Sequence, residues 1–167
     1  VIGEFVNPIK VDIHQFYGIE INDFAVSVAT TALWIAELQM LRETRKVAHF
    51  SDTPLPLKTY HNIHEGNALR IDWAEVLTGK ECTSLGIPSP LYIIGNSAFI
   101  GYSLQSVEQK EDMLNTLVDV NGKPYKQAGK IDYVSGWYYK ACKMMDAQPT
   151  IKAAFVSTNS ITQGEQV

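Results

Sequence analysis

Leu91-Tyr92-Ile93-Ile94-Gly95-Asn96-Ser97-Ala98-Phe99-Ile100-Gly101-Tyr102-Ser103 is the segment around which this chain is organised. Its apolar run, residues 91 to 94, predicts a fully buried strand, isolated upstream by Pro88 and Pro90. The run ends in a glycine, one carboxamide, two small residues and an aromatic. In open α/β sheets ligands collect outside the carboxyl ends of the strands, so Asn96 and Phe99 are placed to hold a planar, hydrogen-bonding molecule. A purine fits that description.

On either side of this segment, strand and helix signals alternate. Residues 12 to 21 bring an apolar and aromatic run up to Gly18 and Glu20, a predicted strand, and Asn22 can cap the helix that follows. From Asp23 to about Arg42, the residues Phe24, Val28, Ala32, Ile35 and Leu38 recur at three- and four-residue spacing, which predicts a long, mostly buried helix. Thr53-Pro54-Leu55-Pro56 marks a loop. Tyr60 to Leu69 predicts a second short strand running into Gly66-Asn67-Ala68-Leu69, and a weak helix covers Trp73 to Leu77 ahead of Gly79. Beyond the central segment, Ser106-Val107-Glu108-Gln109 is a capping-box pattern that opens a helix through about Val118. Asn121-Gly122 is a turn, and the polar loop after it carries Lys123, Lys126 and Lys130. Asp132 to Met145 predicts an aromatic-rich helix, and Ala153 to Ser157 a last strand with Thr158-Asn159-Ser160 at its carboxyl edge. This order predicts an α/β fold with a parallel, doubly wound sheet.

The 167 residues are 46% hydrophobic and 19% charged, enough for one domain with a real core and too few for two of ordinary size. A net charge of -4 carries no global signature of nucleic-acid binding, so any such contact is local or made elsewhere in a longer protein. Cys82 and Cys142 lie far apart, with no Cys-x-x-Cys spacing and no secretory signal, which fits a reduced cytoplasmic setting. No window approaches the roughly eighteen consecutive apolar residues of a membrane span. Val1 is not a methionine and Gly164-Glu165-Gln166-Val167 reads as the opening of a helix, so both ends are expected to be cuts in something larger.

Read alone, the polar candidates are ambiguous. Glu20 ends the first predicted strand, where nucleotide-binding sheets place a carboxylate for the ribose hydroxyls, and where solvated edge residues are also common. Asn67 can both donate and accept toward a base edge, or it can cap a helix; Asp72 competes as a structural residue or cap. Turn chemistry explains Thr158-Asn159-Ser160 nearly as well as a binding role does. Val134, Trp137, Tyr138 and Ala141 share a helical face that fits a core better than a base platform. His14, His49, His61 and His64 show no metal-ligand spacing, so no metal is expected.

Taken together, these motifs resemble a family. Gly95-Asn96-Ser97-Ala98-Phe99-Ile100-Gly101 resembles the catalytic loop, Asn/Asp-Pro-Pro-Phe/Tyr, of the adenine-N6-specific, class I S-adenosylmethionine-dependent DNA methyltransferases, in the form used by large fused bacterial restriction-modification enzymes. Tyr17-Gly18-Ile19-Glu20-Ile21 resembles the second cofactor motif and Gly66-Asn67-Ala68-Leu69 the third. Residues 158 to 164 resemble the later strand-end motif, and residues 132 to 139 the helix before it. The match spans about residues 12 to 167, in the family's order.

The resemblance implies a Rossmann-like, doubly wound methyltransferase sheet, mostly parallel, of which residues 1–167 form the middle portion of a partial catalytic domain. It implies methyl transfer from S-adenosylmethionine to an adenine flipped out of double-stranded DNA, within a restriction-modification system and without a membrane. In that reading Asn96 and the carbonyl of Ser97 accept the protons of the target amino group, and Phe99 stacks on the base. Glu20 accepts hydrogen bonds from the ribose hydroxyls, Ile21 presses on the cofactor adenine, and Asn67 with Ala68 meets its edge.

Two departures qualify the resemblance. Ser97 and Ala98 stand where the family has two prolines, which removes rigidity because proline fixes φ and Ser-Ala does not. No Gly-x-Gly occurs anywhere, so the glycine loop that holds the methionine portion of the cofactor is missing, as is any target-recognition domain. The fragment is therefore expected to bind the cofactor weakly and to be inactive alone, with a fused nuclease compatible with the family. The alternative is a noncatalytic nucleotide-binding or DNA-positioning scaffold; a dehydrogenase is disfavoured because no Gly-x-Gly-x-x-Gly precedes Glu20.

Overall fold

The computed structural model describes residues 10–47, 60–78 and 90–163. The Thr53–Pro56 loop, Gly79, Cys82, Pro88 and the segment after Gln163 lie outside the described residues. Two compact units emerge, residues 1–67 and residues 68–167, where composition sets an expectation of one domain.

In the first unit, strand β1 (Gly18–Glu20) pairs in parallel with β2 (Ile63–Glu65), joined through helix α1 (Asp23–Arg45). The strand predicted over residues 12 to 21 is shorter than expected. Asp12 caps a 3-10 turn, Ile13–Gln15, accepting the His14 N–H at 2.8 Å, while the Gln15 side chain accepts the Asp12 N–H at 3.0 Å. This closed capping box diverts the backbone from extension until Gly18. The predicted strand at 60 to 69 likewise narrows to three residues. Its flanks are tied to the other strand's approach: the Tyr60 hydroxyl donates to the Phe16 carbonyl, and the Asn62 side chain donates to the His14 carbonyl at 2.9 Å. Burial, and secondarily the neighbouring Tyr17, pushes the Tyr60 phenol up to about 12.

Asn22 caps α1 as its sequence predicts, accepting the Ala25 N–H at 3.0 Å. The expectation that α1 is mostly buried fails. The half-buried stripe runs through Ala25, Val26, Ala29, Leu33, Glu37 and Leu41, while Phe24, Val28, Ala32, Ile35 and Leu38 face out, Phe24 with 74% of its surface exposed. The helix is apolar on two faces, so periodicity detects it without revealing which face packs on this unit's two strands. By length and composition α1 is also apolar enough to cross a membrane, although its partly covered stripe is seated beside β1 and β2.

In the second unit, strand β3 (Tyr92–Asn96) pairs in parallel with β4 (Lys152–Val156), five residues to five. Between them come α3 (Val107–Thr116) and α4 (Ser135–Ala147), with a short α2 (Trp73–Thr78) ahead of β3. The expected capping box opens α3: Ser106 Oγ accepts the Gln109 N–H at 3.2 Å and the Gln109 side chain accepts the Ser106 N–H at 2.9 Å. α4 starts later than predicted, because residues 131–134 form the turn that enters it.

The core of this unit gathers Leu69, Met113, Leu117, Ala128 and Tyr133, with Ile100, Ile131, Trp137 and Tyr139 packed against it. Val134 and Ala141 are buried, which agrees with a core role for that helical face. The central strand is not fully buried as predicted: Tyr92 and Ile94 point outward, Ile94 with 82% of its surface exposed. A run of apolar residues implies layers on both faces, and the described residues of this unit cover one. The α/β class and the parallel pairing hold for both strand pairs.

Candidate functional site

The sequence candidates fall at two strand-end clusters, one in each unit. In the first, the register Glu20↔Glu65 brings the carboxyl ends of β1 and β2 level, and the Gly66 N–H donates to the Glu20 carbonyl at 2.8 Å. Gly66 has φ 149°, a conformation side-chain-bearing residues rarely adopt, and it turns the chain out of β2 into Asn67. Glu20, Ile21 and Asn67 are thereby gathered at one edge. Glu20 Oε1 accepts the Asn22 N–H at 3.0 Å, and a carboxylate retains further acceptor sites beyond that bond. Ile21 is 71% exposed, an apolar side chain open to a flat partner.

Ala68 begins the second unit, and its carbonyl is already occupied. Trp73 Nε1 donates to it at 2.8 Å, and Lys140 Nζ donates to it at 2.9 Å, to Leu69 at 3.3 Å and to the carbonyl of Ile71. Burial pulls the Lys140 ammonium down to about 8, opposed by the charge of Asp72. Asp72, the competing candidate, takes the cap role at the start of α2, where its Oδ1 accepts the Ala74 N–H at 2.9 Å.

The second cluster is built by β3 and β4. Their register ends at Asn96↔Val156, so Asn96-Ser97-Ala98-Phe99 and Ser157-Thr158-Asn159-Ser160 leave the sheet side by side. Gly95 leaves room for its neighbour, because a Cβ there would stand 3.0 Å from the Phe155 ring on the paired strand and the ring would have to give way. Beyond it, the loop is fixed at Ile100, whose side chain packs on the core and whose carbonyl accepts the Tyr133 N–H at 2.9 Å. Asn159 sits in a 3-10 turn, Asn159–Thr162, where its carbonyl accepts the Thr162 hydroxyl at 3.0 Å.

Between the two loops lies a cleft of about 420 Å³, with Phe99, Tyr102, Asp132, Val134, Thr158 and Ser160 on its walls. Phe99 lines it; Asn96 and Ser97 do not. Asn96 is exposed at the strand end, and Ser97 Oγ is buried without a hydrogen-bond partner among the described residues. Tyr138 serves the framework: its ring meets Phe155 edge-on at 5.0 Å and its hydroxyl reaches Ser157 Oγ at 3.1 Å.

Two residues of these clusters are not site candidates in the sequence. Asp132 and Lys140 sit within helical or turn patterns that any acidic or basic residue could occupy, and only the tertiary fold buries Asp132 to 9% exposure and points Lys140 at three carbonyls. No group of three metal-ligating side chains occurs among the described residues.

The chain is similar to known proteins over nearly its whole length. Residues 3–167 match the family model described as MmeI, DNA-methyltransferase domain. The chain is 43% identical over 168 residues to DNA methyltransferase A of Bacillus subtilis (strain 168), an alignment that covers 99% of this chain and 18% of that protein. It also matches the structure of the type IIL restriction-modification enzyme MmeI in complex with DNA, with TM-score 0.75, 38% identity, and coverage of 95% of this chain and 19% of that one. The chain thus spans about a fifth of the length of these relatives.

Proposed function

The chain belongs to the MmeI DNA-methyltransferase domain family, and on that basis we propose that the full-length protein methylates adenine N6 in double-stranded DNA within a cytoplasmic restriction-modification system. One observation supports this reading above the others. The parallel alignment of β3 and β4 sets the Asn96–Phe99 loop beside the Thr158–Ser160 turn, with Phe99 on the wall of the cleft between them.

The chemistry asked of these residues follows from the substrate. An exocyclic amino group on an aromatic ring is a poor nucleophile, because its lone pair is delocalised into the ring. In this proposal the Asn96 carboxamide oxygen and the Ser97 carbonyl each accept one N6 proton. Those two bonds pull the nitrogen toward a pyramidal geometry and localise its lone pair, so no base has to remove a proton before attack. The bonds strengthen as the nitrogen changes shape, which is the condition for lowering a barrier rather than only binding substrate. A base must leave the duplex to reach this edge, and methyltransferases are among the enzymes that flip their target. Phe99 supplies a stacking surface at the cleft, worth on the order of 1–3 kcal/mol per base.

S-adenosylmethionine, when bound, supplies the electrophilic methyl group. The residues of the first unit suit its adenosine portion: Glu20 keeps acceptor capacity for ribose hydroxyls, Ile21 offers an uncovered apolar face, and Asn67 lies at the adjoining strand end. Nothing in residues 1–167 resembles a glycine loop for the methionine portion, so residues 1–167 by themselves bind the cofactor weakly and do not turn over.

Incubating the full-length protein with tritiated S-adenosylmethionine and plasmid DNA from a methylation-deficient host, then separating the nucleosides, tests the proposal. Label in N6-methyladenosine is the expected result. Label in a methylated cytosine would overturn the base assignment, and no label in any nucleoside would favour a scaffold role, which the Ser97-Ala98 pair also favours.

A further inference from the structure

Asp132 is a buried carboxylate at the wall of the cleft, and its two oxygens serve different loops. Oδ1 accepts the backbone N–H of Tyr102 at 3.2 Å, on the segment that continues from Asn96 and Phe99. Oδ2 accepts the hydroxyl of Ser160 at 2.7 Å, on the turn that follows β4, and that hydroxyl lies 2.6 Å from Thr158 Oγ1. Next to it in sequence, the Tyr133 N–H holds the Ile100 carbonyl, and Gln105 Nε2 donates to the Ile131 carbonyl at 2.9 Å. The four residues from Ile131 to Val134 therefore act as a strap across the base of the cleft.

A carboxylate is a costly choice for a buried site unless its acceptor capacity is needed. An amide offers one oxygen where a carboxylate offers two, and here both are engaged, in separate segments. Ser160 and Thr158 line the same cleft as Phe99, so the bond that holds them also sets the distance between the cleft walls.

We propose that Asp132 is a positioning residue for methyl transfer, clasping the Phe99–Ser103 segment to the Thr158–Ser160 turn and so setting the width of the cleft that receives the target base. The proposal rests on the adenine-methylation reading above. Asp132 touches no reacting atom; it acts through Phe99 on one wall and Ser160 on the other.

The test uses the full-length protein, tritiated S-adenosylmethionine and plasmid DNA from a methylation-deficient host. Asp132→Ala should lower kcat by about tenfold to a hundredfold, the scale at which small misplacements reduce rates. Calorimetric affinity for S-adenosylmethionine should stay within about twofold, because Glu20, Ile21 and Asn67 belong to the other unit. Asp132→Asn, which keeps one acceptor for Tyr102 and loses the second for the Ser160 hydroxyl, should recover part of the rate. Ser160→Ala should cost less than Asp132→Ala and add nothing in the Asp132→Ala background, the non-additivity expected of one shared interaction. Should Asp132→Ala fail to fold, Ser160→Ala alone decides the question. Parent-like kcat in both single variants would overturn the proposal, as would losses that add fully or that fall equally on cofactor affinity. An Asn96→Ala control separates the two levels. If it is inactive while the Asp132 and Ser160 variants are normal, the clasp fails alone; if Asn96→Ala is also normal, the adenine-methylation reading has failed with it.

Discussion

A Cβ at Gly95 would lie 3.0 Å from Cδ1 and 3.1 Å from Cε1 of Phe155, its registered partner across the β3–β4 pair. Phe155 cannot retreat freely, because Tyr138 packs edge-on against it at 5.0 Å. Gly95→Ala should therefore destabilise the protein by about 1–3 kcal/mol, the usual cost of overpacking. Urea denaturation of parent and variant checks this, and an unchanged midpoint would mean that the ring yields without strain.

Lys140 makes stability depend on alkaline pH. Burial sets its folded pKa at about 8, below the ordinary lysine value of 10.5, so between these values the unfolded chain binds more protons than the folded one. Stability contributed by this group therefore rises as pH increases from about 8 toward 10.5, and is lost as pH falls through 8. Lys140→Met should flatten that rise, read as urea midpoints at pH 8 and pH 10.

The exposed side chains of Lys123, Lys126 and Lys130 follow the central loop in sequence, and we expect them to meet DNA phosphates. Removing one lysine that neutralises a phosphate should reduce the slope of log affinity against log salt by roughly 0.9. A triple alanine variant of the full-length protein, titrated with DNA at several salt concentrations, measures it; an unchanged slope would mean that these are solvated loop lysines.

Restoring proline at positions 97 and 98 should raise kcat. Each compatible substitution removes freedom worth about 0.4–1 kcal/mol, together about four- to thirtyfold in rate. Proline at 97 also eliminates a buried hydroxyl that has no partner among the described residues. Single-turnover methyl transfer by the Pro-Pro variant and its parent decides it, and a slower variant would show that the Ser-Ala backbone adopts a geometry proline cannot.

How much of this was legible in sequence depends on whether the signal was local. Asn22, Ser106 and Gln109 announced helix starts because capping involves residues within four positions of one another, and the structure realises each. The parallel strand pairs followed from the alternation of strands and helices. Burial was less legible. Phe24, Val28, Ile35, Tyr92 and Ile94 are apolar and exposed, because hydrophobicity records that a face can be covered, and the described residues of each unit leave these faces open. At the clusters, motif resemblance nominated Glu20, Asn67, Asn96 and Phe99 as candidates, whereas Asp132 and Lys140 acquire meaning only from partners some thirty to seventy positions away.

The central claim is that Asn96 activates the target amino group. Tritiated methyl transfer by full-length Asn96→Ala, beside its parent on the same plasmid DNA, measures this most directly. Loss of a hydrogen-bonding group that acts on the transition state should slow transfer by about a hundred- to a thousandfold, with affinity for S-adenosylmethionine unchanged. Methylation of adenine by Asn96→Ala at the parent's rate would contradict the account.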